Sequence, residues 1–103
     1  MSCIDLWFTA EMEEAIRSGR KCCTSRQEAH GQSGDIFRVR NVDYQILDVL
    51  RVELAEVGDL FFRLEGFESA QEFRDFWERV YNKPVTGWDM VYVHFFTRLG
   101  DAQ

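Results

Sequence analysis

The hydrophobic residues in the first quarter of the chain change their spacing. Residues 4–9 are mostly apolar and include two aromatic side chains, which is typical of a strand. Residues 10–18 place apolar side chains at helical spacing, with acidic residues early and a basic residue late, which complements the helix dipole. Thr9 is the expected N-cap of this helix, and Gly19 is its expected end. The pattern predicts a strand, a helix and then an extended segment over residues 21–26.

The middle of the chain favours further strands. Residues 27–34 are polar, contain two glycines and predict a mobile loop. Residues 36–39 predict a strand, and residues 41–43 predict a turn. From residue 44 to residue 57 the apolar positions alternate loosely, which fits either two strands or one long bent strand.

The last third of the chain predicts a second helix and a final strand. Apolar residues at helical spacing follow a cap at Glu68 or Ser69, and residues 82–84 end the helix because proline disfavours helical backbone at the residue before it. Residues 90–96 alternate as a strand, and the tail at residues 100–103 is expected to fray. The order of elements predicts an α+β fold in which about five to six strands close into a barrel and two main helices cover its ends.

Composition narrows the class of protein. The chain has 103 residues, of which 46% are hydrophobic and 15% aromatic, and this favours one domain over residues 1–103. The start lacks the features of a signal peptide, and residues 90–96 are far shorter than the roughly 20 residues of a membrane helix. Three cysteines, two of them adjacent, fit a reducing compartment and lack the paired spacing of zinc ligands. We expect a cytoplasmic protein that does not associate with a membrane and needs no metal or organic cofactor.

The charge is unevenly distributed along the chain. The net charge is −6, which argues against strong binding to a DNA duplex. Residues 17–40 nevertheless contain six basic and two acidic residues and carry a net charge of +4. A local basic face on an acidic body suits a small anionic or polar ligand, while chance clustering of solvated side chains explains the same numbers.

Residues 19–26 read Gly-Arg-Lys-Cys-Cys-Thr-Ser-Arg and carry the most informative motif. The pattern Gly-x-Lys-x-x-Thr-x-Arg after a short helix resembles the signature of the ASCH domain, a small relative of the PUA RNA-binding fold. The stretch from Phe62 to Phe73, with Glu65-Gly66-Phe67 inside it, is similar to the second ASCH motif, and residues 92–95 are similar to the final strand. The resemblance extends over nearly the whole chain.

This resemblance implies a PUA-like mixed β-barrel with a cleft between the barrel and the helices. Many ASCH domains are presumed RNA binders, and one small bacterial branch hydrolyses the amide of N4-acetylcytidine to cytidine and acetate. The lysine, threonine and glutamate of that branch fall on Lys21, Thr24 and Glu65. The chain departs from the branch at several positions, among them Ser25, where the branch has an apolar residue. The implied partner is therefore a modified nucleoside or RNA.

Amide hydrolysis needs a nucleophile, a proton acceptor and a group that stabilises the oxyanion. Thr24 is the expected nucleophile, Lys21 the expected base and Glu65 the expected proton donor or pyrimidine contact. Substrate contacts are expected from Arg20, Arg26 and Phe67. Because residues 21 and 24 face opposite sides of a flat strand, Lys21 and Thr24 meet only if the chain is kinked between residues 19 and 22, and we predict that kink.

Several alternatives stay open at this stage. A non-catalytic module would bind RNA or a nucleotide in the same cleft. A ribonuclease would need His30 or His94 in the cleft. Cys23 would become a candidate thiolate if it shared a face with Lys21. Packing in the hydrophobic core is the alternative role of Phe67, and it is the commoner role for such a side chain.

Overall fold

The computed structural model describes residues 2–85 and 89–101. Within these residues the chain forms three helices and four strands. In chain order they are α1 (Ala10–Arg17), β1 (Cys23–Arg26), β2 (Ile36–Val39), β3 (Val42–Glu53), α2 (Leu54–Leu60), α3 (Ala70–Tyr81) and β4 (Met90–Asp101). The predicted α+β class is confirmed.

The two predicted helices form where the sequence signals place them. The Thr9 hydroxyl accepts the Met12 N–H at 3.1 Å and caps α1, and the Ser69 hydroxyl accepts the Glu72 N–H at 3.1 Å and caps α3. Helix α3 ends at Asn82, whose left-handed backbone (φ 55°) precedes Pro84 by two residues. Each helix buries its apolar stripe, which is Met12, Ala15 and Ile16 on α1 and Phe73 and Trp77 on α3.

The four strands form one antiparallel sheet in the order β1-β4-β3-β2. Strands β3 and β4 pair along almost their whole length, and bulges near residues 43–44 and 46–48 bend the pair. Strands β2 and β3 are joined by Arg40 and Asn41, both with positive φ (47° and 67°), as a two-residue hairpin turn of this hand requires. The turn is therefore formed by Arg40 and Asn41, one residue earlier than the predicted turn at residues 41–43, and residues 42 and 43 belong to β3.

Two isolated bridges extend this sheet at its edges. Cys3 pairs in parallel with Ile36 beside β2, and Glu65 pairs antiparallel with Lys21 just before β1. With these two segments the curled sheet has six extended members, both parallel and antiparallel pairs, and the helices against it. The curled, half-barrel shape of the sheet agrees with the predicted barrel-like fold, but the described residues form four strands and not the five to six that the sequence predicts.

Three element predictions need correction. Residues 4–9 form no strand. The pairing with β2 stops after the Ile4 N–H donates to the Ile36 carbonyl at 2.8 Å, and the Trp7 carbonyl accepts from the Arg26 side chain. The predicted strand region up to residue 57 ends at Glu53, since Leu54 and Val57 lie three residues apart and bury the inner face of α2. Strand β4 continues to Asp101, so the tail does not fray at residue 100, while residues 102–103 lie outside the described part.

The hydrophobic core joins the sheet to all three helices and includes Leu54 and Val57 of α2. Its largest fully buried aromatic side chains are Phe37 on β2 and Phe73 on α3, each 1% exposed. Strand β4 is central in the sheet and contributes buried residues from both faces, including Val93 and His94. In the described residues, no helix has the length and apolar character needed to cross a membrane.

Candidate active site: a buried lysine–glutamate pair in an aromatic cleft

A short turn after α2 carries Glu65 to the edge of β1. The Glu65 N–H donates to the Phe61 carbonyl at 3.0 Å, and the Leu64 carbonyl accepts the N–H groups of Cys22 and Cys23 at 2.6 and 3.1 Å. Gly66 follows with φ +98°, a backbone conformation that favours glycine. The backbone therefore fixes Glu65 beside the segment that begins β1.

Lys21 and Glu65 form a buried ion pair. The Lys21 Nζ lies 3.0 Å from Glu65 Oε1 and 3.1 Å from the Glu65 carbonyl oxygen, and the two side chains are 3% and 4% exposed. An ammonium has three N–H donors, and two of them are used by Glu65. A pair this deeply buried is an uncommon arrangement in a surface cleft, because each charge has lost most of its hydration.

Alternate residues of the extended segment face Glu65. Besides Lys21, these residues are Cys23 and Ser25. The Cys23 thiol lies 3.7 Å from Glu65 Oε2, and the Ser25 hydroxyl donates to the same oxygen at 2.6 Å. This is the period of two expected of a strand. Glu65 thus accepts hydrogen bonds from three side chains of one strand face.

Thr24 belongs to the opposite phase of this strand. It lines the cleft with 5% of its surface exposed, and its carbonyl contacts His94 Nδ1 at 3.2 Å. Within the described residues, its hydroxyl has no hydrogen bond to either member of the ion pair. The left-handed turn at Gly19 (φ +84°) ends before Lys21, and β1 pairs with β4 in regular register. The predicted kink is therefore confined to the end of α1 and does not join Lys21 to Thr24 by a hydrogen bond.

Arg26 closes one side of the site. Its Nη2 donates to the Trp7 carbonyl at 2.7 Å, and its guanidinium lies 4.9 Å from the centroid of the Phe8 ring. Burial lowers the pKa of Arg26, while the charges of Tyr81 and Glu65 act in the opposite direction. Arg26 remains a cation and holds the segment before α1 against β1.

The cleft is walled mainly by aromatic side chains. It contains about 570 Å³ of space including its open mouth, and Lys21, Thr24, Ser25, Arg26 and Glu65 all line it. The aromatic walls come from the segment before α1 and from α3, namely Trp7, Phe8, Phe73, Phe76, Trp77 and Tyr81. A planar apolar ligand with a few polar atoms suits such a site.

Burial sets the protonation of two further groups near Glu65. Burial, reinforced by the negative charge of Glu65, raises the pKa of the Cys23 thiol far above its usual value, so Cys23 is a protonated donor and not a thiolate. Burial also raises the pKa of Tyr81, with Arg26 opposing the shift. The open question about a Cys23 nucleophile is thereby answered, since the residue shares the Lys21 face but is 0% exposed.

The sequence matches no protein-family profile and no curated protein. Its fold, however, is close to those of several solved structures. The ASCH domain from Lactobacillus crispatus aligns with a TM-score of 0.72 over 96% of this chain and 80% of that protein, at 16% identity. The chain has the ASCH fold. The ASCH protein of Zymomonas mobilis aligns with a TM-score of 0.60 over 92% of this chain and 65% of its own, at 18% identity.

A third neighbour is similar in size. A Pyrococcus furiosus protein studied in solution by NMR aligns with a TM-score of 0.60, and the match spans 96% of this chain and 98% of that one at 18% identity. The resemblance to ASCH domains seen in the sequence is thus confirmed at the level of fold.

The ASCH fold brings only some of the expected site residues together. Lys21, Thr24, Glu65 and Arg26 line the cleft, whereas Arg20 is exposed and donates to the Ser18 hydroxyl at 3.0 Å. Phe67 is 5% exposed and packs against the rings of Phe73 and Phe76, as the core alternative predicts. The structure therefore gives Arg20 and Phe67 no contact with the cleft.

Both histidines lie outside the cleft walls among the described residues. His94 is 0% exposed, and its Nε2 accepts the backbone N–H of His30 at 2.9 Å. Burial lowers the pKa of His94. The condition for a ribonuclease, a histidine at the cleft, is not met by this geometry.

Sequence reasoning missed several residues of the site. The signal for Ser25 is its polarity at a position where the similar ASCH branch has an apolar residue. Trp77 and Tyr81 lie on the second predicted helix, where apolar spacing indicates only a core-facing stripe, yet both line the cleft. The indole Nε1–H of Trp77 has no hydrogen-bond partner in the described part of the chain, so a donor is available beside the cleft.

Proposed function

We infer that the chain is an amidohydrolase acting on N4-acetylcytidine or a related N-acylated pyrimidine nucleoside, from which it releases cytidine and, for the acetyl substrate, acetate. The observation that carries this proposal is the buried Lys21–Glu65 pair at the floor of an aromatic cleft. The ASCH fold supports a ligand related to nucleosides or RNA. No metal or organic cofactor is part of the proposal.

The charged pair has the functional groups that amide hydrolysis requires. Glu65 has acceptor capacity and can take a proton from a nucleophile and return it to the leaving nitrogen. Lys21 has a third N–H, beyond the two used by Glu65, with which to stabilise an oxyanion. Both effects are strong at this position because the groups are almost fully buried and their field is weakly screened.

The cleft walls suit a pyrimidine. Aromatic rings on two sides offer stacking surfaces for a planar base, and Arg26 is a cation at the wall. Thr24, the nucleophile expected from the sequence, lines the same cleft, and its hydroxyl, which has no hydrogen bond within residues 2–85 and 89–101, can meet a substrate. The net charge of −6 favours a free nucleoside over a polyanionic RNA.

A second candidate function is a non-catalytic module that binds RNA or a nucleotide in this cleft. The ASCH fold is found in RNA-associated domains, which supports this alternative. The walls and the cation at Arg26 serve binding and catalysis equally. Turnover distinguishes the two functions, because a binding module leaves the amide bond intact.

The test is hydrolysis of N4-acetylcytidine at near-neutral pH, with cytidine release followed by chromatography. We expect turnover by the wild-type protein and its loss in Lys21→Met and Glu65→Gln, since each removes one member of the charged pair. Lys83→Met is the matched control, because Lys83 is an exposed lysine outside the cleft. Circular dichroism verifies that each variant is folded.

The result that would overturn the proposal is the absence of cytidine release by folded wild-type protein with N4-acetylcytidine and with longer N4-acyl cytidines. Saturable binding of the same nucleosides without turnover would then support the binding module. Equal turnover by the wild-type protein and Glu65→Gln would show that the charged pair takes no part in the reaction.

A further inference from the structure

Two neighbouring residues of β1 that line the cleft carry a hydroxyl group, and among the described residues only one of these hydroxyls is hydrogen-bonded to a carboxylate base. Ser25 Oγ lies 2.6 Å from Glu65 Oε2, whereas the Thr24 hydroxyl has no hydrogen bond within the described residues. Ser25 is 6% exposed and borders the cleft directly. The two residues are neighbours in β1 but occupy opposite phases of the strand.

A hydroxyl becomes a nucleophile when a base is within hydrogen-bond reach and a third group orients that base. Here the hydroxyl is that of Ser25, the base is Glu65 and the orienting group is Lys21. Ser25 Oγ lies 2.6 Å from Glu65 Oε2, and Lys21 Nζ lies 3.0 Å from the other carboxylate oxygen, Oε1. In this geometry Lys21 donates to Glu65 twice, so its protons point towards acceptors and it has no lone pair to offer Thr24. The geometry thus favours Glu65, not Lys21, as the proton acceptor.

We propose that Ser25 is the nucleophile of this site, with Glu65 as its base and Lys21 as the group that orients Glu65 and stabilises the oxyanion. The proposal rests on the amidohydrolase function above and reassigns the roles within it. Thr24 then contacts the bound substrate from the other phase of the strand. Cys23, protonated and 3.7 Å from Glu65 Oε2, adds a weak hydrogen bond that holds the carboxylate in place.

The first half of the reaction transfers the acyl group to Ser25. Ser25 Oγ forms a bond to the acyl carbon, its proton passes to Glu65 Oε2, and the carbonyl electron pair moves to the oxygen as an oxyanion beside Lys21. The oxyanion then collapses, the bond between the acyl carbon and the exocyclic N4 breaks, and Glu65 returns the proton to N4. The products of this half are free cytidine and an ester on Ser25.

The second half consumes one water molecule. Water attacks the ester carbon, its proton passes to Glu65, and the bond from the acyl carbon to Ser25 Oγ breaks as that oxygen takes the proton back. The carboxylic acid leaves, and Ser25, Glu65 and Lys21 return to their starting forms. The balance needs no oxidant, reductant or co-reactant other than water.

The first experiment traps the acyl group. The protein is mixed with 4-nitrophenyl acetate, quenched in acid and digested with trypsin, which releases residues 22–26 as one peptide. Fragmentation in a mass spectrometer then locates the acetyl group on one residue. We expect it on Ser25, and its presence on Thr24, Cys22 or Cys23, or on none of the peptide, would overturn the proposal.

The second experiment compares turnover of N4-acetylcytidine among variants. Ser25→Ala is expected to lower kcat by at least about a thousandfold, because the nucleophile is removed. Thr24→Val is expected mainly to raise KM and to lower kcat by less than about tenfold, the effect of one lost hydrogen bond. Ser33→Ala is the control, since Ser33 is an exposed serine bonded to the Leu47 carbonyl away from the cleft.

Folding is checked separately, because Ser25→Ala removes a donor from a buried carboxylate. Ser25→Cys keeps a nucleophile and a donor at the same position, and it should still be acylated by the nitrophenyl ester. Acylation of wild-type Ser25 without any hydrolysis of N4-acylated nucleosides would contradict the proposed function and leave the nucleophile assignment standing. Full turnover by Ser25→Ala would contradict the assignment and leave the function standing.

Discussion

At the scale of single residues, burial determines the role of each polar group around Glu65. The Lys21–Glu65 pair is 3% and 4% exposed, whereas the Arg38–Asp43 pair, with the same separation of 3.0 Å, is 54% and 27% exposed. Solvent screens the second pair and barely reaches the first. Equal distances therefore correspond to very different energies.

Lys21→Met is expected to lower the free energy of unfolding by about 3–5 kcal/mol, because it leaves the Glu65 charge buried without its partner. Arg38→Met, which breaks the exposed pair, is expected to cost about 0–1 kcal/mol. The double variant Lys21→Met/Glu65→Leu should recover part of the loss, since no lone charge remains. Urea unfolding measures all three, and a smaller loss for Lys21→Met than for Arg38→Met would contradict the assignment of a buried pair.

His94 makes a pH-dependent contribution to stability. Its Nε2 accepts from the His30 N–H and its Nδ1 donates to the Thr24 carbonyl, so the buried ring is neutral. Burial lowers its pKa below the ordinary value of 6.5. The unfolded state then binds the proton more readily, so this contribution is present above about pH 6.5 and is lost as the pH falls through the folded-state pKa.

We therefore expect the stability difference between wild type and His94→Gln to narrow below about pH 6.5, by at most about 1.4 kcal/mol per pH unit. His30→Gln is the control, because the bond to His94 uses the His30 backbone and survives the substitution. Urea unfolding at several pH values between about 5 and 7.5 checks this. A constant difference at all pH values would show that His94 is not held neutral.

At the scale of elements, the turn after α2 is what completes the site. This turn carries Glu65 to the edge of β1, and the chain then reverses its direction at Gly66, whose φ is +98°. A Cβ at Gly66 would lie 3.2 Å from the Lys21 Cβ and 3.3 Å from the Ala15 Cβ, tighter than ordinary packing. The turn, α1 and the start of β1 therefore fit together only with glycine at this position.

Gly66→Ala is expected to lower both stability and turnover. The left-handed backbone alone costs about 1–2 kcal/mol for a residue with a Cβ, and the contact with Lys21 shifts the charged pair. Gly34→Ala is a matched control, because Gly34 has φ +95° and nothing within 4 Å of its Cβ position. Thermal unfolding and kcat are measured for both, and equal losses of kcat would contradict the role of Gly66 in placing the pair.

At the scale of the whole molecule, tertiary pairing disperses the basic cluster at residues 17–40. Lys21 is paired with Glu65, Arg38 with Asp43, and Arg40 with Glu13 and Glu14. All four of these acidic partners lie outside the segment in sequence. Three of the six basic residues of this segment are therefore neutralised by acidic residues outside it, which weakens the basic face that the sequence predicts.

This dispersal predicts weak salt dependence. KM for N4-acetylcytidine is expected to change less than about twofold between about 50 and 200 mM potassium chloride, whereas a protein making 6–10 phosphate contacts loses about 10³–10⁵ in affinity over this range. An oligonucleotide carrying one N4-acetylcytidine serves as the comparison substrate. A preference for the oligonucleotide that disappears with added salt would instead indicate an RNA substrate.

The sequence by itself determined the two capped helices, the β2 strand, the final strand and the ASCH resemblance. These depend on signals within about ten residues, such as Thr9 before α1 and Ser69 before α3. The helix and strand predictions succeed because capping and side-chain periodicity are local in the chain. The grouping of Lys21, Thr24 and Glu65 into one site followed from the ASCH resemblance and not from a local pattern.

The tertiary structure alone decided which side chains meet. Ser25 and Glu65 are 40 residues apart, and their 2.6 Å contact depends on the register of the Lys21–Glu65 bridge, which no local pattern encodes. The same bridge separates Thr24 from the ion pair by strand phase and buries Cys23 as a protonated thiol. Burial and long-range pairing, which set the protonation and partners of these groups, arise only when distant segments pack together.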